Sequence, residues 1–170
     1  MYKDFKDLLS ILNANKVKYL IVGGYAVSHH AQPRATKDLA LFVQSAPKNA
    51  EALYRALRDF GAPVVRLTPS DLIEKGSFVR FGNPPETVDI LPEIEGVSFS
   101  TAWRGRVTAF VDEAADVAAS FISREDLIST KLAAGRPQDI ADVAAIRSAG
   151  KAAGKLKHRV VPKKPKRKAE

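Results

Sequence analysis

A Gly-Gly pair ends the most β-rich run in this chain. Val17-Lys-Tyr-Leu-Ile-Val22 has the apolar, β-branched character of a buried strand, and Gly23-Gly24 stops it. After thirteen intervening residues, Asp38 heads a second apolar run that continues to Val43, and much later Asp89 interrupts a third, Val88-Asp-Ile-Leu91. Glycines between a strand and a helix let the backbone approach a ligand closely, and amides at a helix start favour phosphate. Carboxylates beside neighbouring buried strands can converge on Mg²⁺ held against nucleotide phosphates. Both acids sit among apolar residues, which places them next to a sheet rather than on an open loop.

The intervening segments supply the helices. Phe5, Leu8, Leu9 and Leu12 recur at spacings of three and four, predicting an opening amphipathic helix that ends near Asn13 to Asn15. Tyr25 to Ala31 reads as a short helix broken by Pro33, and Pro47 to Phe60 as a longer one stopped by Gly61. Thr68-Pro-Ser-Asp71 has the spacing of a helix cap and introduces a short helix over Leu72 to Lys75. Phe78 to Phe81 and Glu86 to Leu91 read as paired strands joined by Gly82 to Pro85. Beyond Pro92 the pattern weakens, with short strands over Val107 to Val111 and Ala115 to Ile122. Ser123-Arg-Glu-Asp126 then opens a helix to about Ala134, and a last helix spans about Gln138 to Ser148 with Gly150 past its end.

Charge divides the chain of 170 residues into two parts. The net charge is +8, and residues 151–170 alone hold nine Lys/Arg and one acid, leaving eighteen of each sign in residues 1–150. The body is neutral. The tail has little apolar content and is expected to be disordered when unbound, either contacting RNA (tRNA included), DNA or another polyanion or acting as a solubilising segment. The absence of Cys excludes a disulfide scaffold, a Cys-based zinc site and a thiol nucleophile. Three His, of which His29 and His30 are adjacent, do not suggest a metal cluster. No nucleophile elbow, Walker loop or dinucleotide fingerprint occurs. The charged start, Met1 to Asp7, and the lack of an apolar stretch near the ~18 residues of a membrane span lead to the expectation of a cytoplasmic protein without membrane contact.

On Ile21 to Gly24, Asp38 and Asp89, the sequence resembles the nucleotidyltransferase superfamily with the polymerase-β-type fold. More narrowly, it is similar to small stand-alone bacterial members related to toxin and antiphage nucleotidyltransferases of the AbiEii type. That pattern runs apolar-Gly-Gly/Ser, a spacer of about a dozen residues, Asp-apolar-Asp/Glu-apolar, and a third Asp on a later strand. Arg34-Ala-Thr-Lys-Asp38 resembles the approach to the motif. Lys131 to Arg136, followed by Asp139 and Asp142, resembles the C-terminal helical element. The resemblance covers about residues 5–148. It implies an α/β (α+β) fold, a polymerase-β-like core with a mixed sheet flanked by helices. The implied division is a nucleotidyltransferase-like domain over 1–150, with its core at about 5–111 and a small helical part at about 123–149, and a basic tail over 151–170. Implied too are Asp38 and Asp89 as ligands of two Mg²⁺ ions, an NTP as substrate, nucleotide contacts at Gly23, Gly24, Ser28, Lys37 and Arg136, and a possible partner in a toxin-antitoxin pair.

The departure from the pattern falls at position 40. The family places its second metal-binding acid there, on the same strand face as Asp38, and this chain has Ala40. Ala cannot ligate Mg²⁺. Either an inactivating Asp→Ala replacement stands at this position, the reading favoured by the intact remainder of the motif, or the chain is a degenerate member that binds nucleotide or RNA without catalysing. In the active form an acceptor hydroxyl would attack the α-phosphorus of the NTP and release pyrophosphate, with Asp89 helping to deprotonate the nucleophile. The acceptor could be an RNA 3′ end, a protein or a small molecule, and the tail favours RNA. Lys131 lies on the apolar face expected from Leu127, Ile128 and Leu132, where an inward lysine needs an anion, either nucleotide phosphate or the transferred group, or an ion pair with Asp139 or Asp142. Arg34 and Thr36 are weaker candidates beside Lys37.

Overall fold

The computed structural model describes residues 1–157, with side chains to Ala153. Helix α1, Lys3–Ala14, buries Phe5, Leu8, Leu9 and Leu12, the positions whose spacing points inward. The chain leaves it through a left-handed Lys16 (φ 56°), and the Val17 amide returns to the Leu12 carbonyl at 3.0 Å. Both backbone groups of Lys18 bond to the Asn49 side chain. Strand β1 is Tyr19–Val22, entirely buried and two residues shorter than expected, with the Lys18 carbonyl just ahead of it also accepting from the Gln44 amide at 3.2 Å.

Helix α2, Gly23–His30, begins at the glycine pair itself, and strand β2, Leu39–Val43, begins just after Asp38. Helix α3 spans Pro47–Phe60 as expected and ends on Gly61 in the left-handed region (φ 87°). Thr68 and Asp71 form the expected capping box, but it opens a 3₁₀ turn over Pro69–Ile73 rather than a helix over Leu72 to Lys75. Strands β3, Val79–Asn83, and β4, Glu86–Leu91, make a hairpin around Pro84-Pro85.

The weak region after Pro92 contains a helix the sequence did not announce. Helix α4, Phe99–Gly105, is capped by Ser98, whose hydroxyl accepts from the Thr101 amide. Phe99 stacks on Trp103 and meets Phe42 edge-on at 5.1 Å between ring centres. Phe99, Ala102 and Trp103 recur at spacings of three and four against the core, but the helix has only seven residues, a single set of that spacing and too little to stand out in the sequence. Strands β5, Val107–Asp112, and β6, Val117–Phe121, and helix α5, Arg124–Ala134, follow close to their expected positions, with Ser123 capping Asp126.

The last helix corrects an expectation. Helix α6 runs over Pro137–Lys157 and passes through Gly150 instead of stopping there. Gly150 has a packing role: a Cβ on it would collide with the guanidinium of Arg124, which lies across α6 and donates to the Ile146 carbonyl at 2.8 Å. Residues 151–157, expected to begin the disordered tail, are therefore helical. The rest of the tail, 158–170, lies outside the described residues.

The six strands form one mixed sheet in the order β3-β4-β2-β1-β6-β5. β1 pairs antiparallel with β2 and parallel with β6, β2 is parallel to β4, and the two outer pairs are antiparallel hairpins. The α/β architecture with a mixed sheet flanked by helices is the one expected. Register carries the functional consequence. Val22 faces Ala40, Ala40 faces Asp89, and Asp89 faces Arg80, so these residues form one row across β1, β2, β4 and β3. Helices α5 and α6 pack together, and α2 touches both of them as well as β1 and β2. Among the described residues, no helix is long and apolar enough to cross a membrane.

Candidate active site

Three members of the row, Val22, Ala40 and Asp89, floor a cleft of about 520 Å³, and Arg80 stands at the end of the row beside Asp89, outside the lining. Val22, Gly23, Ala40 and Asp89 lie on the sheet side, Glu93 and Glu95 on the segment after β4, and Lys131, Arg136 and Asp139 on the side of α5 and α6. The sequence joins these residues over more than a hundred positions. The sheet and the α5–α6 pair bring them together.

Gly23 adopts φ +64°, a conformation in which a side chain is strained, and a Cβ there would stand 3.3 Å from Cβ of Ala40. Position 40 therefore looks directly onto bare backbone at the start of α2. Gly24 is closed on its other side by Thr36: a Cβ at Gly24 would overlap the Thr36 hydroxyl and lie 2.9 Å from its Cβ. Thr36 belongs to the segment that carries Lys37 and Asp38, so Gly24 sets how closely that segment approaches α2. Gly24→Ala should push the segment outward and cost about 1–3 kcal/mol, the usual range for overpacking. A urea unfolding midpoint unchanged from the parent chain would refute that contact.

Asp38 and Asp89 lie on the same sheet face but in different company. Asp38 is exposed just ahead of β2, and its Oδ1 accepts from the Thr87 hydroxyl at 2.9 Å. Asp89 is largely covered, its side chain 14% exposed, and both of its oxygens are held by one guanidinium. Arg80 Nε donates to Oδ1 at 2.6 Å and Nη2 to Oδ2 at 2.8 Å. Hydrogen bonding and the charge of Asp89, with a smaller contribution from Asp38, push the Arg80 guanidinium pKa above its ordinary value.

The two-ion Mg²⁺ site implied by the resemblance needs free carboxylate oxygens on neighbouring strands. Position 40 supplies none, Arg80 occupies both oxygens of Asp89, and among the described residues no group of three or more Asp, Glu, His or Cys side chains could hold a metal ion. The residues present do not fit the expected ions.

Lys131 is buried, with Nζ 2.9 Å from Asp139 Oδ1 and 2.8 Å from Asp142 Oδ2. Arg136 joins from the cleft side, Nε to Asp139 Oδ2 at 2.6 Å, and Arg34 from the segment before β2, Nη1 to Asp142 Oδ1 at 3.1 Å. Burial pushes the Asp139 carboxyl up, but hydrogen bonds from Arg136 and Lys131 outweigh it and hold its pKa at about 2. Asp142 Oδ2 has no hydrogen bond of good geometry despite its closeness to Nζ. Lys131 thus lines the cleft and also neutralises two buried acids; the second of these is the ion-pair arrangement weighed for it from sequence.

The remaining candidates disperse. Ser28 exchanges 3.4 Å hydrogen bonds with the backbone of Arg34 and lines a separate hollow with Tyr2, Tyr25 and Thr36. Lys37 is exposed ahead of β2. His29 stacks on Phe121 at 4.3 Å, and burial together with the neighbouring His30 lowers its pKa, while His30 Nε2 lies 2.7 Å from the Ile122 carbonyl. Sequence reasoning did not single out Arg80 or Thr87. The signal for Arg80 was present, because a tight turn at Pro84-Pro85 sets the hairpin register and pairs residue 80 with residue 89.

A family model described as a nucleotidyltransferase of unknown function, DUF6036, matches residues 3–160. Among solved structures, the chain is similar to the lincomycin-bound crystal structure of the lincosamide antibiotic adenylyltransferase LnuA. The TM-score is 0.53 and the identity 18%, over 88% of this chain and 98% of that one. At that identity the likeness bears on the fold. No curated protein matches the sequence.

Proposed function

The chain belongs to the DUF6036 nucleotidyltransferases, and on that premise we propose that its cleft holds a nucleoside triphosphate, with transfer to an acceptor hydroxyl idle while residue 40 is Ala. The carrying observation is the row Val22-Ala40-Asp89 beneath the cleft, beside the half-buried Gly23 that also lines it. Gly23, the first residue of α2, lines the same space, and backbone amides at a helix start favour phosphate oxygens. In the transferring form the acceptor oxygen attacks the α-phosphorus, the bond to the β-phosphate breaks, and pyrophosphate leaves. A carboxylate at position 40 would complete the acid set, Asp89 would take the acceptor proton, and Mg²⁺ would be the metal of that form only. Lys131 and Arg136 line the opposite wall, where their charges complement a polyanion, though Asp139 and Asp142 already offset Lys131.

An RNA 3′ end is the acceptor that the sequence favours, since the excess positive charge lies at the C-terminal end. A small hydroxyl compound is the rival, in line with the lincosamide antibiotic named for LnuA. The same reading extends to kinship with AbiEii-type toxins, a toxin-antitoxin partner and a cytoplasmic setting. It also takes residues 1–157 as one folded unit ahead of a basic end.

Equilibrium dialysis of the full chain against each of the four NTPs tests the reading. One of them should bind at a single saturable site, Ala40→Trp should remove that binding by filling the cleft floor, and truncation after Lys157 should leave it intact. No saturable site for any of the four would refute it. The truncation removes six Lys/Arg. It should weaken RNA binding and flatten its dependence on log salt by up to about four, at ~0.7 per phosphate contact for a single strand. An unchanged slope would move the acceptor away from RNA.

A further inference from the structure

The row beneath the cleft ends in a positive charge. We propose that Arg80 takes the place of the divalent ion in this chain, so that the cleft binds the triphosphate of its nucleotide as the metal-free anion, with Arg80 bridging Asp89 and a phosphate oxygen. The inference rests on the nucleotide-binding reading above and states how that site is charged.

A metal ion in such a site joins a protein carboxylate to a phosphate. A guanidinium can make the same junction, because its planar fork matches either group bidentately. In this chain the carboxylate half is already built: Nε and Nη2 of Arg80 grip both oxygens of Asp89 at 2.6 and 2.8 Å. A guanidinium carries more N–H donors than these two, and with the Arg80 side chain 55% exposed the rest are open to an incoming anion. Asp38 contributes to the field on Arg80. The guanidinium also lies over the Phe78 ring at 5.7 Å, which restricts its swing away from the row. An acid at position 40, the direct register neighbour of Asp89, would compete with Asp89 for the same cation, and this chain carries none there. This chain thus sets an apolar residue at position 40 and a fixed monovalent cation on Asp89, where a divalent ion would call for the extra acid.

Two measurements on the full chain test this. Inorganic tripolyphosphate, a probe independent of the base, should bind with an affinity that changes less than about twofold between EDTA and excess Mg²⁺. Arg80→Gln should weaken the metal-free binding by about tenfold, the scale of one charge-assisted contact. Mn²⁺ titration followed by electron paramagnetic resonance should find no tight site in the parent chain, and Arg80→Gln, which frees Asp89 next to Asp38, should bind Mn²⁺ at least about fivefold more tightly. Mg²⁺-dependent tripolyphosphate binding by the parent, or Mn²⁺ binding no weaker in the parent than in Arg80→Gln, would overturn the proposal. Absence of any NTP or tripolyphosphate binding refutes the nucleotide reading and the phosphate bridge with it. The Mn²⁺ arm still decides whether Arg80 excludes the ion.

Discussion

Ala40→Asp should raise nucleotide transfer by this chain from background to a clear signal. The parent is expected to give no labelled product with any NTP, Mg²⁺ and a mixture of RNA and protein acceptors, and the variant a clear one, a rise of about a thousandfold. The size follows from completing an electrostatic site, worth several kcal/mol of transition-state stabilisation, at about tenfold in rate for each 1.4 kcal/mol. The structure gives the new carboxylate room, since it would look onto Gly23, which has no Cβ, and would stand beside Asp89 in the parallel register. Arg80 will oppose the change by holding Asp89. The double variant Ala40→Asp with Arg80→Gln should therefore exceed the single one. Transfer by the parent at the rate of Ala40→Asp, or its absence from single and double variants alike, would remove the reaction from this cleft.

The second large effect is on stability. Lys131→Met keeps the length of the side chain but leaves Asp139 and Asp142 buried with less compensation, Asp139 with only Arg136 and Asp142 with Arg34 and Gln138. Breaking a buried ion pair from one side costs about 3 kcal/mol or more, which for a domain of this size lowers Tm by about 6–12 °C. The loss should depend on pH in a defined direction. Because the folded Asp139 pKa is depressed to about 2 from an ordinary 3.8, its interactions contribute fully above pH 3.8 and are lost as pH falls through 2. The Tm gap between parent and Lys131→Met should therefore be wide at neutral pH and narrow from pH 4 to pH 2. A gap that is constant over that range would mean that Lys131 stabilises through its methylene stem and not through its charge.

The parts of this molecule that could be read from sequence are those in which local chemistry and tertiary placement agree. Gly23-Gly24 closes a strand and opens a helix because backbone freedom is needed there, and the apolar neighbours of Asp89 already tie it to a sheet. Helix α1 and helix α3 were legible from their buried stripes. Helix α4 was not, since its inward face is the single set Phe99, Ala102 and Trp103 in a helix of seven residues, too short for a stripe to repeat. Gly150 misled for a related reason: glycine after a helical stretch reads as a stop, and only the position of Arg124, twenty-six residues earlier, shows that it is a passage for a crossing side chain. The register of β2 against β4 joins residues that are forty-nine positions apart, Ala40 and Asp89, and no local signal encodes it. Arg80 was legible in principle from the hairpin, but a charged residue in an exposed strand reads first as a solvated side chain.

The continuity of α6 sets a length scale. A flexible tether would let the basic end of the chain visit the cleft at any distance, whereas a helix rises about 1.5 Å per residue. Asp139, in its first turn, lines the cleft, and the helix continues without a break to Lys157. About 27 Å of rod separates these two positions. On the reading proposed above, an acceptor that grips the far turns of α6 and also reaches the row beneath the cleft would have to span that interval.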